Sequence, residues 1–133
     1  MSLKFLTIDH IHIHVKNRTE AEKWYRTILR FERVNSLEFW SVDGGPLMLE
    51  DESGQIHLAM FESESIQNTI IAFKVTAQGL YSWISHLNNL GVCVDPVNHD
   101  ISWSIYFSDP DGNPFEITTY EYNEFTNILE TNA

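Results

Sequence analysis

The amino-acid sequence predicts an α+β protein built from two βαβββ modules, in which a strand and a helix precede three more strands. Residues 8–15 and 69–75 each alternate between apolar and polar side chains, which is typical of a strand with one buried face. Apolar residues at helical spacing follow each of these segments. The two halves also match at an offset of about 60 residues, with Val15 matching Val75.

The repeat predicts a single domain made of modules at about residues 5–62 and 68–121, followed by a short C-terminal tail. One such unit cannot cover its own sheet, so we expect the two units to pack into one structure. The acidic tail after Tyr122 has apolar residues at helical spacing, and it either docks as a short helix or frays.

The first strand carries an unusual row of histidines. Its alternation places His10, His12 and His14 on the face opposite Ile11, Ile13 and Val15. Thr19 and Glu22 then fit a capping box, which predicts the start of the first helix. Three strands are predicted to complete the module, at 39–42, 46–50 and 55–61, with His57, Ala59 and Phe61 on one face of the last.

The second module repeats this pattern with different polar residues. Its first strand places Ile70, Ala72 and Lys74 on one face, and its helix stripe from Leu80 to Leu90 ends at Gly91, a typical C-terminal cap. The last three strands are predicted to start at Val92 and to cover 102–107 and 114–120.

The final two strands are joined by Asp109-Pro110-Asp111-Gly112, which has the residue types that a tight turn requires. In the strand that follows, Phe115 and Ile117 form the core face. Glu116 therefore points to the opposite face, where its carboxylate is solvated, paired with Lys74, or a metal ligand.

Charge excludes some partners. The 133 residues carry a net charge of -11, and all eight basic residues lie at or before Lys74. This argues against a nucleic-acid partner and against a strongly anionic substrate. The single cysteine, Cys93, forms no intramolecular disulfide and is expected to be a small buried residue. No apolar stretch suits a membrane span, and a cytoplasmic location is expected.

Two segments, DHIHIHVKNRTEAEKWYRTILRF near the start and YFSDPDGNPFEI near the end, resemble the vicinal oxygen chelate superfamily. That group includes glyoxalase I, the extradiol dioxygenases, and the fosfomycin and bleomycin resistance proteins. The resemblance implies a curved mixed sheet around a central cavity, a small-molecule substrate and a homodimer.

The resemblance also implies a metal site. His10 and Glu116 match ligand positions of the metal-using members, and His57 matches a ligand of the glyoxalase I branch only. Ile70 stands where the second module usually has a histidine. Through the repeat, we expect His10 to correspond to Ile70 and His57 to Glu116.

Two functions remain open. In the first, His10, His57 and Glu116 bind Fe, Mn, Zn or Ni, and the protein is an isomerase, lyase or oxygenase acting on an oxygen-chelating substrate. His12 or Tyr106 would then supply the proton transfer or hydrogen bond. In the second, the metal is lost and the protein binds an organic cation, as a bleomycin resistance protein does, with Trp40 or Trp103 stacking on it.

Overall fold

A computed structural model of the protein describes residues 3–65 and 69–133. The chain divides into two units, residues 1–67 and 68–133, and each contains a mixed four-stranded sheet and at least one helix. The predicted α+β class with two repeated modules is confirmed. The predicted first residue of the second module, at position 68, lies outside the described residues.

In the first module the strand order is β1-β4-β3-β2, and only the β1–β4 pair is parallel. The side chains of Ile13 and Val15 are buried, and α1 packs against β4. The elements are β1 (Ile11–Val15), α1 (Arg18–Leu29), β2 (Glu32–Arg33), a 3-10 helix (Asn35–Ser41), β3 (Leu47–Glu50) and β4 (His57–Glu62).

The strand predicted at 39–42 is wrong, because a 3-10 helix spans Asn35–Ser41. Arg18 explains the local path of the chain. Its guanidinium group donates to the carbonyl oxygens of Ser41 and Gly45, both at 2.7 Å, and the Ser41 carbonyl is one that a strand at 39–42 would have contained.

The predicted capping box is also wrong. The helix is capped one residue before Arg18 by Asn17, whose side-chain oxygen accepts a hydrogen bond from the Glu20 backbone at 3.0 Å. Glu22 is buried and binds Arg33 instead, at 2.6 and 2.8 Å. Glu22, which lies three residues after Thr19, therefore pairs with a residue of another element and does not cap the helix.

In the second module the strand order is β5-β8-β7-β6, again with only the first and last strands parallel. The elements are β5 (Ile71–Lys74), α2 (Ala77–Asn89), β6 (Val97–Asn98), β7 (Trp103–Ser108), β8 (Pro114–Thr119) and α3 (Tyr122–Thr131). The tail thus forms a helix, which packs against α2 and buries Phe125 completely.

Helix α2 ends as predicted, with Gly91 at a φ of +83° just beyond it. The strand predicted from Val92 is wrong. The Val92 backbone donates to Leu87 and the Val94 backbone to the Asn88 side chain, so this segment is bonded to the end of the helix. Cys93 is exposed, which corrects the expectation that it is buried.

The turn between β7 and β8 forms as predicted. The Asp109 carboxylate accepts hydrogen bonds from the backbones of Asp111 at 2.9 Å and Asn113 at 2.8 Å. Gly112 has a φ of +87°, a conformation that favours glycine. This turn fixes the register of β8 and thereby the face on which Glu116 lies.

Among the residues that the structure describes, none of the helices is both long and apolar enough to cross a membrane.

Candidate functional site

The ladders of the two sheets define which residues of the modules are equivalent. His12 pairs with Ala59 across the parallel strands of the first module, and Ala72 pairs with Glu116 in the second. At the repeat offset of 60, His12 corresponds to Ala72, so Ala59 corresponds to Glu116. The predicted equivalence of His57 with Glu116 is therefore wrong by two residues.

His57 lies at the start of β4 on the same face as Ala59, and it is half-buried. Its Nε2 atom is 3.3 Å from Oε2 of Glu50, the residue that it opposes on β3. This contact places a negative charge beside the imidazole and engages the Nε2 atom. Glu50 is a neighbour of His57 that the sequence did not single out.

The side chains of His10 and His12 contact each other directly. Strand β1 begins at Ile11 and not at residue 8 as predicted, so His10 lies just before the strand and is exposed. The Nε2 atoms of His10 and His12 are 3.1 Å apart, and their rings stack with centroids 5.0 Å apart. The Nδ1 atom of His10 is 2.8 Å from Oδ2 of Asp9.

Phe61 supports the histidine row from the neighbouring strand. Its ring lies 4.9 Å from the His12 ring and stacks on the His14 ring at 5.8 Å. The register explains this, because His14 is the ladder partner of Phe61. The first module therefore presents a face of imidazoles beside aromatic and small side chains.

Glu116 lies on the polar face of the second sheet, among hydroxyl groups. The Ser104 hydroxyl group, which is fully buried, donates to Oε2 of Glu116 at 2.8 Å and lies 2.9 Å from the Thr118 hydroxyl oxygen. Ser104 is thus an anchor for this carboxylate. The alternation of β7 places it on the same face as Tyr106, and that signal was present in the sequence.

Tyr106 opposes Glu116 in the ladder, and its hydroxyl group lies 2.8 Å from Nε2 of His99. Burial, followed by the negative charge of Glu116, raises the pKa of Tyr106. The phenol is therefore a weaker acid than an unperturbed tyrosine and is protonated at neutral pH. His99 is exposed, and nothing in its loop pattern indicates this contact.

Lys74 forms no ion pair with Glu116 among the described residues, so the pairing considered from the sequence is not found. Lys74 lines a cleft of about 420 Å³ at the other end of the strand, together with Tyr120 and Glu121. The Glu121 carboxylate accepts a hydrogen bond from the Ala77 backbone at the start of α2, at 2.7 Å.

The two tryptophans considered as stacking platforms differ. Trp103 stacks on Tyr122 of α3 and donates from its indole nitrogen to the Thr126 hydroxyl at 3.0 Å. It therefore belongs to the packing of α3 and does not suit a ligand platform. Trp40, in the 3-10 helix, is 45% exposed and contacts Phe39 edge-on.

Within either module, the described residues contain no group of three His, Cys, Asp or Glu side chains arranged to hold one metal ion. The His10 and His12 rings bring two imidazole nitrogen atoms together, and Asp9 contacts the other nitrogen of the His10 ring.

A protein with two βαβββ modules, histidines on the first strand and a glutamate on the last is a member of a well-defined class. The family model described as the Glyoxalase/Bleomycin resistance protein/Dioxygenase superfamily matches residues 7–117. The chain belongs to this family, which is part of the vicinal oxygen chelate superfamily.

Three relatives illustrate the likeness. The chain is 31% identical over 126 residues to the metallothiol transferase FosB of Bacillus licheniformis, covering 87% of this chain and 77% of FosB. An integron cassette protein, HFX_CASS4, from the mobile metagenome of the Halifax Harbour sewage outfall superimposes with a TM-score of 0.74 at 24% identity, over 86% of this chain and 99% of that one.

The third is a mutant of the fosfomycin resistance protein FosX from Listeria monocytogenes, complexed with Mn(II) and 1S,2S-dihydroxypropylphosphonic acid. It superimposes with a TM-score of 0.68 at 20% identity, over 87% of this chain and 93% of FosX. At these identities the two structures establish the fold alone.

Proposed function

We propose that the protein is a divalent-metal-dependent enzyme acting on a small organic substrate that chelates the metal through two oxygen atoms, in an isomerase, lyase or oxygenase reaction. The observation that carries the proposal is the setting of Glu116. Its carboxylate accepts a hydrogen bond from the buried Ser104 hydroxyl, and the resemblance to metal-using members implies a ligand role for it. A side chain fixed in this way is preorganised to bind a cation.

The proposed metal ligands are His10, His57 and Glu116, and this set of two histidines and one carboxylate suits Fe(II), Mn(II), Zn(II) or Ni(II). The Mn(II) in the FosX complex and the name of the relative FosB, a metallothiol transferase, support a metal role. When bound, such an ion polarises a substrate oxygen. Asp9 orients the His10 ring for this task through the contact at Nδ1.

Tyr106 and His12 were both candidates for the proton transfer or hydrogen bond. Tyr106 suits the role of hydrogen-bond donor, because it carries a phenol hydroxyl group at the ladder position opposite Glu116. Its contact with His99 holds the hydroxyl group in place. His12 has its Nε2 atom directed at His10, which leaves it less suited to abstract a proton from a substrate.

The charge distribution favours an uncharged substrate. Lys74 is the only lysine or arginine in residues 69–133, and it lies in the cleft beside Glu121, away from the ladder position of Glu116. A phosphonate dianion, like the ligand in the FosX complex, is usually held by several cationic groups. We therefore propose a neutral chelating substrate, such as a hemithioacetal or a catechol.

The test measures turnover of purified protein loaded in turn with each of the four metals. The substrates are a hemithioacetal of an α-ketoaldehyde, a catechol with dioxygen, and fosfomycin with a thiol. We expect metal-dependent turnover of one neutral substrate and none of fosfomycin. Glu116→Gln should reduce this turnover at least about 100-fold, because it removes the proposed ligand. Turnover that needs no metal, or that survives Glu116→Gln, contradicts the proposal.

A second candidate is a metal-free protein that binds an organic cation, and the observation that favours it is Ile70. This residue stands at the usual histidine position, cannot bind a metal, and is 51% exposed. Binding of aromatic cations to metal-free protein, weakened by Trp40→Ala, would support this function. Unchanged affinity in that variant would reject the role of Trp40.

We also propose that the protein is a homodimer. The segment before β1 exposes four apolar side chains by 74% or more in the single chain: Leu3, Phe5, Leu6 and Ile8. Apolar side chains exposed in a row are commonly covered by a second copy. Light scattering should give twice the chain mass of 15.5 kDa, and Phe5→Glu should shift it toward the monomer.

A further inference from the structure

The imidazole rings of His10 and His12, at the start of the first strand, lie in direct contact. Nε2 of His10 and Nε2 of His12 are 3.1 Å apart, and both residues are exposed. His12 lies in β1 and His10 directly precedes that strand, and the two rings stack with their centroids 5.0 Å apart. Two nitrogen atoms at this distance share either a proton or a metal ion.

Asp9 determines where the proton of the His10 ring lies. A carboxylate only accepts hydrogen bonds, so the 2.8 Å contact with Oδ2 of Asp9 places the proton on Nδ1 of His10. In the neutral ring, Nε2 of His10 then carries a lone pair that is directed at His12. A carboxylate on the far nitrogen is also the arrangement that orients histidine ligands of metals and raises their basicity.

The distance fits a shared metal ion. With metal–nitrogen bonds of about 2.0–2.1 Å, two nitrogen ligands are about 2.9 Å apart at a right angle and about 3.4 Å apart in a tetrahedron. The observed 3.1 Å lies between these values. His12 needs only to carry its own proton on Nδ1 for both lone pairs to meet at one point.

We propose that His10 and His12 chelate one divalent transition-metal ion, and that His12, not His57, is the second histidine ligand of the metal. The inference rests on the proposed function for the metal's catalytic role, but not for its binding. Imidazole pairs suit Zn(II), Cu(II) and Ni(II) rather than Mg(II) or Ca(II).

The surroundings of the two candidates favour His12. The Nε2 atom of His57 is already 3.3 Å from the Glu50 carboxylate. The ladder partner of His12 is Ala59, the residue equivalent to Glu116 in the other module. The methyl side chain of Ala59 carries no polar atom, so it does not compete with an ion for the His12 ring.

The experiment titrates untagged full-length protein with Ni(II) in a calorimeter and records the electron paramagnetic resonance of the Cu(II) form. His12→Ala should weaken Ni(II) binding at least about tenfold. Removing a residue that only hydrogen-bonds to a metal ligand already costs about tenfold in affinity, and His12 is proposed as a ligand itself. The Cu(II) spectrum should lose the splitting from one nitrogen. Asp9→Asn should weaken binding less than His12→Ala does.

His14→Ala is the matched control, because His14 lies on the same strand and face but stacks on Phe61. It should bind Ni(II) within about twofold of the unmodified protein, since it removes no proposed ligand. His57→Ala separates the two ligand sets: with His12 as the second histidine ligand, this variant also binds Ni(II) within about twofold. Unfolding by circular dichroism checks that each variant is folded. Equal binding by His12→Ala and the unmodified protein overturns the proposal, and so does a loss caused by His57→Ala alone.

The outcomes separate this inference from the proposed function, because metal binding is measured without substrate. His12-dependent binding with no turnover of any substrate rejects the proposed enzyme and supports the chelate. Metal-dependent turnover that is unaffected by His12→Ala rejects the chelate and supports the enzyme.

Discussion

The two modules have the same strand order and the same parallel pairing of first and last strands, yet they carry different chemistry on equivalent faces. The first offers imidazoles, with His12 beside Ala59. The second offers oxygen atoms, with Ala72 beside Glu116. The repeat therefore preserves the backbone ladder. The side chains on the sheet face that carries His12 and Glu116 differ between the modules, with nitrogen donors in the first and oxygen donors in the second.

The modules also differ in how their helices are held. Helix α1 is tied to β2 by an ion pair between the buried Glu22 and Arg33. Helix α2 is held by an apolar contact with α3, where Phe125 is fully buried. The first attachment depends on charge and the second on the hydrophobic effect.

The largest effect is expected from Phe125→Ala in the second module. Removing a fully buried phenylalanine loses its transfer free energy and leaves a cavity, so the free energy of unfolding should fall by about 3–5 kcal/mol. Denaturant unfolding measures this. Phe39→Ala is the control, because Phe39 is 66% exposed and its loss should cost less than about 0.5 kcal/mol.

A smaller loss is expected from Glu22→Gln in the first module. Breaking a buried ion pair is strongly destabilising, but Arg33 is 38% exposed, so solvent screening reduces the cost to about 1–2 kcal/mol. The same denaturant experiment applies. Glu20→Gln, an exposed change on the same helix, should have no measurable effect, and equal losses in the two variants would contradict the role of the pair.

The pH dependence of stability provides a third comparison. The hydrogen bonds and charge of Arg33 hold the pKa of Glu22 below its ordinary value of 4.5, against the opposing effect of burial. A lowered folded-state pKa stabilises the protein above pH 4.5, and this contribution is lost as pH falls through the folded pKa. The Glu22→Gln variant should therefore lose less stability than the unmodified protein in acid below pH 4.5.

The smallest effect concerns the second module. Burial and the Glu116 charge both raise the pKa of Tyr106, so Glu116→Gln should lower that pKa part of the way toward its ordinary value of 10.0. Magnetic resonance of ring-labelled tyrosine in alkaline titration measures it, with Tyr106→Phe identifying the signal. A pKa that is unchanged or rises in Glu116→Gln would show that the Glu116 charge does not act on this phenol.

The sequence predicted the two-module fold because its strongest signals are periodic and local. The alternation through His10–Val15, the turn at Asp109–Gly112 and the glycine after α2 each depend on neighbouring residues only. The faces of His12 and Glu116 followed directly from alternation once the strands were placed.

The features that the sequence did not predict depend on contacts between residues that are distant in the chain. The use of Glu22 as a partner of Arg33, and the 3-10 helix held by Arg18, arise from side chains that meet only after folding. The two-residue error at His57 has a similar cause, because ladder register depends on loop length. Ile11 and its partner Leu58 are 47 residues apart, whereas Ile71 and Phe115 are 44 residues apart. The contact of His99 with Tyr106 left no trace in the sequence pattern.

The parallel pairing of first and last strands has a consequence for how each module acquires its structure. Ile11 and Leu58, like Ile71 and Phe115, are neighbours in a sheet but stand roughly 45 residues apart in the chain, so their pairing must overcome a large loop-closure entropy. The β3–β4 and β7–β8 hairpins have far shorter loops and can form earlier. The imidazole row would then join its sheet only in a late step of folding.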